Sequence, residues 1–522
     1  MSAARFPEKM AGKRIHFIGA KGTGMTALAE ILAAKGAILS GSDVPDTFYT
    51  DAILKSIGMS VHESFDALQV SPDIDIVIYS DAYNPVSNPE MAEATRKGLP
   101  MFSFAQALGA LSRMSDSSGI AGVHGKTTTT AMTGSILASL RSPVTVLTGS
   151  AVSTFGDRCT LIMGEKYLVA ETDEYKRHFM NFSPRRILLT SVESDHQDYY
   201  PTYESICQAF CDYVMSLPVG GLLIYCADDP GATEVAKYAR SKRGDLRYAP
   251  YGFTAQGPWR IESMAVAEGE SSFSLASHKG KFTLHVPGKH LVLDAVAALA
   301  LAMDIAGIPP ESLPDKRKDT ESPTFSDEQW RKAKMALALF RGSRRRSEVI
   351  GEACGVVVMD DYAHHPTALK ATIQGIKAFW PSRRLVVDFM SHTYSRTIAL
   401  MDDFASSLDE ADCLILHGIY ASARETPVEG VSGKTLFEKV RARRKDLVDI
   451  TDKLGSAPGL AAASDGNDRG FLLYIEEHKA ATSRVYSLLR ANDIFITMGA
   501  GDNWKLGRAI LEQLKDKEKN HA

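Results

Sequence analysis

Residues 122–129, which read Gly-Val-His-Gly-Lys-Thr-Thr-Thr, form the stretch with the clearest chemical meaning in this chain. They follow a short apolar segment and precede a helical pattern, so the glycines would turn N–H groups toward an anion at a helix N-terminus. There Lys126 contacts the β- and γ-phosphates of a nucleotide, and the Thr127 hydroxyl binds Mg²⁺. Ile120 stands where the general motif has glycine, so a plain helix-capping loop is the alternative. We predict an ATP site at Gly122, His124, Gly125, Lys126, Thr127 and Thr128.

A second glycine-rich turn lies near the N-terminus. Gly22, Thr23, Gly24 and Met25 follow a predicted strand and match the G-x-G-x-x-A dinucleotide fingerprint, with Asp43 about 20 residues further on. The match predicts a Rossmann-like unit with a diphosphate at its first turn, and it does not by itself indicate NAD. A Rossmann-type NAD-dependent enzyme stays open as an alternative, although the phosphate loop at 122–129 argues against it.

Carboxylates and a histidine follow the strands after the phosphate loop. Glu171 ends one predicted strand, where a carboxylate joins Thr127 on Mg²⁺. His196 ends the next strand, where metal ligation or a phosphate contact is about as well supported as a structural hydrogen bond. Open parallel sheets place their ligand crevice at the carboxyl ends of the strands, so these groups are expected to meet there.

Two further clusters lie in the last third of the chain. Asp361, Tyr362 and His364 follow one predicted strand, and His392 with Arg396 follows another. Adjacent histidines at 364 and 365 would each need a buried partner in a core, so we expect them to face a cleft. The arginines at 344–346 are either a solvated basic turn or a clamp on phosphate at a domain junction.

The composition is that of an ordinary globular protein, since 44% of the 522 residues are hydrophobic and 23% are charged. A formal net charge of −4 provides no global field, so we expect neither nucleic acid nor membrane as a partner. Six cysteines, mostly in apolar runs, favour buried free thiols. No secretory signal and no membrane-spanning stretch is visible, which predicts a cytoplasmic protein.

The length of 522 residues suits about three α/β domains. We place a Rossmann-like domain at 1–116, a P-loop domain with a parallel sheet and a small antiparallel flank at 117–340, and a second Rossmann-like domain at 341–522. Short alternating runs between 247 and 287 predict the antiparallel flank. A polar stretch at about 309–334 is interpreted as an exposed insertion.

The ordered set of motifs resembles the Mur ligases of peptidoglycan precursor synthesis, and within them the alanine-adding branch. The similarity covers most of the chain, through segments 16–25, 40–43, 124–128, 171–175, 195–199, 340–346, 361–367, 392–397 and 499–502. It implies a three-domain ligase that binds a UDP-sugar, then ATP with Mg²⁺ (or Mn²⁺), then an amino acid, in that domain order. The implied reaction joins L-alanine to the lactyl carboxylate of UDP-N-acetylmuramate through an acyl phosphate.

The resemblance also implies roles for individual residues. Catalytic roles fall on Lys126, His364, His392, Arg396, Arg345 and Arg346. His290 and Asp361 join the phosphate loop in binding ATP, and the metal ligands are Thr127, Glu171 and His196. The UDP-substrate contacts are Gly22, Thr23, Gly24, Met25, Asp43, Ser80, His196 and Tyr362. We expect a monomer or a weak homodimer.

The chain departs from the family pattern at several positions. Leu291 and Asp294 replace asparagines that contact adenine in the family, Ser347 replaces an aromatic residue, and Thr393 replaces an arginine. Several sibling ligases use a carbamylated lysine, but residues 196–236 contain no lysine, which agrees with the alanine-adding branch. A recycling ligase that joins a murein peptide to the same UDP-sugar stays open as an alternative.

Overall fold

The computed structural model describes residues 5–308, 323–421, 425, 428–452 and 470–521. These residues form three sheets, one in each third of the chain, and hydrophobic cores cover both faces of each sheet. One core includes residues of both the N-terminal and the central sheets. Such a three-layer arrangement follows from βα alternation, because each crossover helix must cover an apolar sheet face. The predicted α/β class with three sheet-containing units is confirmed.

The N-terminal sheet is parallel, in the order β3-β2-β1-β4-β5. This is the Rossmann order, and its switch point lies between β1 and β4, beside the first glycine turn. The elements are β1 (Arg14–Ile18), α1 (Thr23–Ala34), β2 (Ile38–Ser42), α2 (Thr50–Ser56), β3 (Ser60–His62), β4 (Ile76–Tyr79), α3 (Pro89–Arg96), β5 (Met101–Ser103) and α4 (Phe104–Ser112).

The central sheet has ten strands in the order β15-β14-β13-β12-β11-β10-β6-β9-β7-β8. Its elements are β6 (Asp116–Ala121), α5 (Lys126–Ser139), β7 (Val144–Val152), β8 (Arg158–Ile162), β9 (Tyr167–Glu171), β10 (Arg186–Leu189), α6 (Tyr203–Met215), β11 (Leu222–Cys226), α7 (Pro230–Lys242), β12 (Arg247–Gly252), β13 (Trp259–Ala267), β14 (Glu270–Leu275), β15 (His278–Leu284), α8 (Lys289–Ala306) and α9 (Asp327–Leu339). The predicted antiparallel flank is formed by β13, β14 and β15.

The C-terminal sheet has the order β16-β17-β22-β18-β19-β21-β20, and only β16 runs antiparallel to its neighbour. Its elements are β16 (Glu348–Ala353), β17 (Val356–Asp361), α10 (Pro366–Phe379), β18 (Arg384–Phe389), α11 (Tyr394–Ala399), α12 (Met401–Ser407), β19 (Cys413–Leu416), α13 (Gly433–Arg443), β20 (Val448–Asp449), β21 (Phe471–Tyr474), α14 (Thr482–Tyr486), β22 (Asp493–Met498) and α15 (Trp504–His521).

The exposed insertion predicted at about 309–334 lies partly outside the described residues, which resume at residue 323. From residue 326 onward the prediction is wrong, because Ser326 and Gln329 form a capping box and α9 begins. This helix buries Trp330, whose ring stacks on His278 with a centroid distance of 4.4 Å. Trp330 and Leu337 supply an apolar face that the surrounding charges hide in the sequence.

The described helices include none that is both long enough and apolar enough to cross a bilayer. The N-terminal domain joins the central one through α1, where Arg158 pairs with the buried Glu30 at 2.9 Å. All six cysteines are free, and five of them are buried, as their position in apolar runs predicts.

Candidate functional site

A cavity of about 520 Å³ lies where the carboxyl ends of the central strands face the C-terminal domain. The central domain contributes the phosphate loop after β6, the turns after β9, β10 and β11, and the first turns of α8 to its walls. The C-terminal domain closes it with residues 346–347, the segment 361–365 and the start of α10. Ligands of open α/β sheets bind at this edge, so the cavity is the candidate site.

The shape of the phosphate loop depends on its two glycines. Gly122 has φ of 133° and Gly125 has φ of 81°, which side-chain-bearing residues seldom adopt. Gly122 is also tightly packed, since a Cβ there would lie 2.1 Å from the Thr190 hydroxyl oxygen. Helix α5 begins at Lys126, directly after the loop, so its unpaired first N–H groups point toward the cavity. The loop therefore has the geometry of an anion site.

The Lys126 ammonium group is held by a buried carboxylate. Its Nζ lies 2.7 Å from Glu174 Oε2 and 3.0 Å from Oε1, and it also donates to the Gly122 carbonyl oxygen. Burial alone would lower the pKa of Lys126, but the carboxylates of Glu174, Asp173 and Glu171 outweigh it and raise that pKa. The lysine is therefore a permanent cation at the mouth of the loop.

Donor atoms for a divalent cation gather beside α5. The Thr127 hydroxyl donates to Glu171 Oε2 at 2.8 Å. His196 Nε2 lies 3.6 Å from Glu174 Oε1, and Asp173, Glu174 and His196 each place one ligand atom within 4.8 Å of the others. A hydroxyl, carboxylates and an imidazole are donors that Mg²⁺ or Mn²⁺ accepts, so the residues present fit such an ion.

His178 connects this cluster to the N-terminal domain. Its Nδ1 lies 3.3 Å from Asp173 Oδ2, and its Nε2 lies 3.4 Å from Asp81 Oδ2. The hydrogen bond to Asp173 is the main reason that the pKa of His178 is raised. Asp81 follows β4 of the N-terminal sheet, so one imidazole contacts carboxylates of both domains.

His364 is a half-buried neutral base in the cavity wall. Its Nδ1 donates to the Tyr362 carbonyl oxygen at 2.9 Å, because a carbonyl can only accept. Burial, followed by the charges of Arg396 and Arg346, holds the pKa of His364 well below its ordinary value. The Nε2 atom is therefore left as a lone-pair acceptor at neutral pH.

Arg345 and Arg346 contact the Tyr362 ring, each with its guanidinium carbon 5.0 Å from the ring centroid. Arg345 is bound within the C-terminal domain, through Asp360 at 2.9 Å and the Gly499 carbonyl oxygen at 2.8 Å. Arg346 lines the cavity, whereas Arg345 does not. The structure thus separates the two arginines into one that fixes the junction and one that faces the site.

Two residues predicted to bind ATP beyond the loop also line the cavity. Asp361 accepts hydrogen bonds from the Ser347 N–H at 2.7 Å and the Ala363 N–H at 2.7 Å, which fixes its carboxylate. His290 lies in the first turn of α8, and burial lowers its pKa. Hydrogen bonds therefore fix the Asp361 carboxylate, whereas His290 lies in the cavity wall with an Nδ1 that has no hydrogen-bond partner among the described residues.

His392 and Arg396 lie behind the cavity wall. Arg396 Nη2 donates to Asp195 Oδ1 at 2.7 Å, a buried contact between the C-terminal and central domains. The His392 ring stacks on Tyr420 with a centroid distance of 5.8 Å and lies 6.3 Å from the His364 ring. Neither residue lines the 520 Å³ cavity, but each lies beside a residue that does, Arg396 beside Asp195 and His392 beside His364.

The first glycine turn forms a second, separate region in the N-terminal domain. Gly22 precedes α1, and the first turn of that helix contains Thr23, Gly24 and Met25. The Gly22 carbonyl oxygen accepts the Thr26 N–H at 2.8 Å, which starts the helix without a side-chain cap. An uncapped N-terminus after a glycine turn suits a diphosphate.

Polar side chains from β2 and β4 meet beside that turn. Asp43 accepts the Lys21 N–H at 2.6 Å and the Tyr83 hydroxyl at 3.3 Å. Ser80 directly follows β4, and a Cβ on Gly19 would lie 3.0 Å from the Ser80 Cβ. The structure brings these predicted UDP-substrate residues together, whereas His196 and Tyr362 from the same predicted set line the cavity in the central domain.

Three domain models of one family match the chain in order. The Mur ligase family, catalytic domain, matches residues 14–115, the Mur ligase middle domain matches 120–302, and the Mur ligase, glutamate ligase domain, matches 345–501. A UDP-N-acetylmuramate–L-alanine ligase of Treponema pallidum is 45% identical over 516 residues, which are 99% of this chain and 100% of that protein. The chain belongs to the Mur ligase family.

Other Mur ligases agree with this placement. The UDP-N-acetylmuramate–L-alanine ligase of Salinibacter ruber is 34% identical over 509 residues, covering 97% of this chain and 95% of that protein. The crystal structure of the UDP-N-acetylmuramate–alanine ligase of Thermotoga maritima has a TM-score of 0.73 at 23% identity, with 97% of this chain and 99% of that one covered. A murein peptide ligase of Psychrobacter arcticus has a TM-score of 0.62 at 22% identity, covering 96% and 99%. These structures share the Mur ligase fold.

The structure places three further residues of this Mur ligase at the cavity or at the first glycine turn, and sequence reasoning missed them. Glu174 pairs with Lys126, His178 joins two domains, and the Tyr83 hydroxyl donates to Asp43. A signal existed for Glu174, because it lies three residues after Glu171 at the same strand end. No local pattern marks His178 or Tyr83, since their partners come from other elements.

Proposed function

We propose that the chain is an ATP-dependent ligase that forms an amide between the lactyl carboxylate of UDP-N-acetylmuramate and L-alanine, in peptidoglycan precursor synthesis. One observation carries the proposal: the phosphate loop faces the same cavity as His364 and Arg346 of the C-terminal domain. The 45% identity to a relative that bears this name, over the whole of both chains, supports the substrates.

ATP would place its β- and γ-phosphates against the loop and Lys126. Lys126 must then exchange the Glu174 carboxylate for phosphate oxygens, and both partners are anionic, so its charge stays compensated. The N–H groups at the start of α5 supply further donors that are already fixed in position. His290 and Asp361, opposite α5, are proposed to hold the nucleoside part of ATP.

The proposed metal ligands are Thr127, Glu171 and His196. The Glu174 and Asp173 carboxylates lie beside His196. An ion held there would supply positive charge next to the transferred phosphoryl group. The N-terminal region at Gly22, Asp43 and Ser80 is proposed to bind the UDP part of the other substrate. His178 would hold the N-terminal region and the metal cluster in a fixed relative position through its contacts with Asp81 and Asp173.

The reaction begins with transfer of the γ-phosphoryl group to the lactyl carboxylate, which gives an acyl phosphate and ADP. The amine of L-alanine then attacks the acyl carbon, and the tetrahedral intermediate expels phosphate. Lys126 and Arg346 would spread the negative charge of the transferred group. His364 is a neutral base whose Nε2 can accept the proton that the amine loses. His392 and Arg396 would position the amino acid through their contacts behind His364.

The test is phosphate release from ATP in the presence of UDP-N-acetylmuramate and Mg²⁺, with L-alanine, a murein tripeptide or no acceptor. Release that requires L-alanine, together with a new amide product by mass spectrometry, is the expected result. Release only with the tripeptide would assign the chain to peptide recycling instead. No release with either acceptor would contradict both assignments.

A variant in the loop separates enzyme turnover from contaminating ATPase. Lys126→Ala is expected to reduce phosphate release at least about a hundredfold, because the phosphates lose their charge-assisted donor. Arg443→Gln changes an exposed arginine that pairs with Asp409 within the C-terminal domain, so it serves as the matched control with wild-type turnover.

A further inference from the structure

A buried carboxyl group lies against the phosphate loop, and the proposed mechanism gives it no role. Asp294 belongs to α8, lines the cavity and is 6% exposed. Its Oδ1 would lie 2.6 Å from a Cβ placed on Gly125, so the carboxyl group touches the loop backbone. The Thr129 hydroxyl of α5 donates to the same oxygen at 3.1 Å. Asp294 is thus in van der Waals contact with the turn that would hold phosphate.

No basic side chain in the described parts of the chain lies within ion-pair distance of this carboxyl group. The charged and titratable groups around it are Arg346 from the junction, Tyr251 from β12 and, one turn earlier on α8, His290. Burial raises the pKa of Asp294 to about 7, against the opposing effects of the Thr129 hydrogen bond and the Arg346 charge. An ordinary aspartate has a pKa of about 4. Near neutral pH, the carboxyl group therefore exists in both forms.

A protonated carboxyl group resembles an amide, because each has one acceptor oxygen and one donor. Oδ1 is the acceptor here, for Thr129, and Oδ2 has no hydrogen-bond partner among the described residues. The neutral acid can therefore carry its proton on Oδ2 without losing the Thr129 contact.

We propose that Asp294 takes part in nucleotide binding as the neutral carboxylic acid, so that ATP enters the cavity together with one proton. The proposal rests on the ATP site proposed above. The proton comes from solvent, binds Oδ2 of the carboxylate and returns to solvent when the nucleotide leaves, so no other reactant is needed.

Electrostatics gives the direction of this coupling. The polyphosphate carries several negative charges and would bind at Gly125 and Lys126, next to the Asp294 carboxyl group. Like charges in a partly dehydrated cavity repel each other more strongly than in water. A nucleotide therefore binds the neutral form in preference, and binding draws a proton onto the ionised fraction.

The size of the effect follows from the two forms. If the nucleotide binds only the neutral acid, its Kd rises about tenfold between about pH 6 and about pH 8, since the ionised fraction dominates at the upper end. Close to one proton is then taken up per nucleotide at about pH 8. Below about pH 6 the uptake vanishes, because the acid is already neutral.

The experiment is calorimetric titration of the full-length protein with ATP and Mg²⁺ at about pH 6, 7 and 8. Each titration is repeated in two buffers of different ionisation enthalpy, which gives the number of protons taken up. Asp294→Asn is the matched variant, because it keeps the shape and is permanently neutral. Protons that bind to ATP itself contribute equally in the variant and the wild type, so subtracting the variant's values removes them.

After subtraction of the Asp294→Asn values, the expected result for the wild type is proton uptake and about tenfold weakening of ATP binding. Equal pH dependence in both proteins, or no proton uptake by the wild type at about pH 8, would overturn the role of Asp294 and leave the ATP site in place. The wild-type uptake tests the proposal even if the variant folds poorly. Absence of ATP binding in the wild type at every pH would overturn both this proposal and the ATP site.

Discussion

Lys126 and Glu174 form a buried ion pair in the cavity, and this pair has a consequence for stability. The Glu174 side chain is 2% exposed and the Lys126 side chain 13% exposed. In Lys126→Met the carboxylate would lose its cation in a dehydrated place, so we expect the free energy of unfolding to fall by about 3 kcal/mol. Chemical denaturation of this variant beside the wild type measures the change.

The control for this pair is the double variant Lys126→Met/Glu174→Gln. It removes both charges, so most of the lost stability should return, while ATP turnover stays absent. If the single variant unfolds at the same denaturant concentration as the wild type, the pair contributes nothing and the carboxylate must be hydrated or protonated.

His417 gives a pH-dependent contribution to stability in the C-terminal domain. Its Nδ1 donates to the Ile475 carbonyl oxygen at 2.8 Å, and its Nε2 lies 2.6 Å from Asp388 Oδ2. Burial would lower the pKa of His417, but Asp388 and the two hydrogen bonds raise it. A raised pKa means that the stabilisation is complete below the unfolded value of about 6.5 and is lost as the pH rises through the folded value.

The measurement compares the wild type with His417→Gln by urea denaturation at several pH values from about 6 to about 9. We expect the stability advantage of the wild type to shrink as the pH rises across this window. The His417 charge also lowers the pKa of His478, whose ring lies 6.2 Å away, so the difference reports His417 together with its effect on His478. An advantage that is constant with pH would show that His417 is neutral throughout.

At the residue scale, the sequence predicts the groups that belong to one local motif. Lys126 and Thr127 follow from the glycine loop, and Glu171 follows from the end of the next strand in the sheet. The Arg396–Asp195 contact joins residues 201 positions apart, and only domain packing creates it. The proposed roles of all these residues stay predictions until variants are assayed.

At the scale of elements, Gly125 allows α8 to pack closely against the start of α5, and this contact can be tested. In Gly125→Ala the new Cβ would meet Asp294 Oδ1 at 2.6 Å, so the loop or α8 must move. Gly98→Ala is the matched control, because Gly98 also has positive φ, at 65°, but has no atom within 4 Å of the new Cβ. Both variants carry about 1 kcal/mol of backbone strain.

Titration with ATP and thermal unfolding compare the two alanine variants. Gly125→Ala should lose at least about tenfold in ATP affinity and more stability than Gly98→Ala, because the clash adds to the strain. Gly98→Ala should bind ATP like the wild type. Equal behaviour of both would mean that α8 moves away from the loop at no cost.

Elements in which apolar residues recur with a regular period were predictable from the sequence. Elements in which charged residues obscure that period were not. Strands β13 to β15 show alternation of apolar and polar residues, which is the pattern of a half-exposed antiparallel sheet. Helix α9 was missed because two acidic residues, one arginine and two lysines surround the four residues that it buries. Its apolar face becomes visible only once the central core that it covers is known.

At the scale of the molecule, polar contacts join the three domains. Arg158 of the central domain pairs with Glu30 of α1, and Thr367 of α10 donates to Glu193 of the central domain at 2.9 Å. The order of the domains follows from the sequence motifs, but these contacts depend on how the domains dock. The boundaries at 116 and 340 and the expected monomer or weak homodimer stay predictions.

The Arg396–Asp195 pair makes the closed arrangement of the C-terminal domain testable. Burial would raise the pKa of Asp195, but the Arg396 guanidinium outweighs it and holds that pKa well below the ordinary range. In Arg396→Gln the carboxylate stays between the domains without its cation, so the interface is destabilised. We expect the domains to separate on average, because the free energy that holds a domain interface is small.

Small-angle X-ray scattering without and with ATP measures this change directly. Arg396→Gln should show a larger radius of gyration than the wild type without ligand, and ATP should restore part of the difference by binding both domains. Arg443→Gln, an exposed pair inside one domain, should scatter like the wild type. Identical curves for Arg396→Gln and the wild type would mean that other contacts hold the domains closed. Arg396 would then act on the amino acid alone, and its loss would appear in the KM for L-alanine without any change of shape.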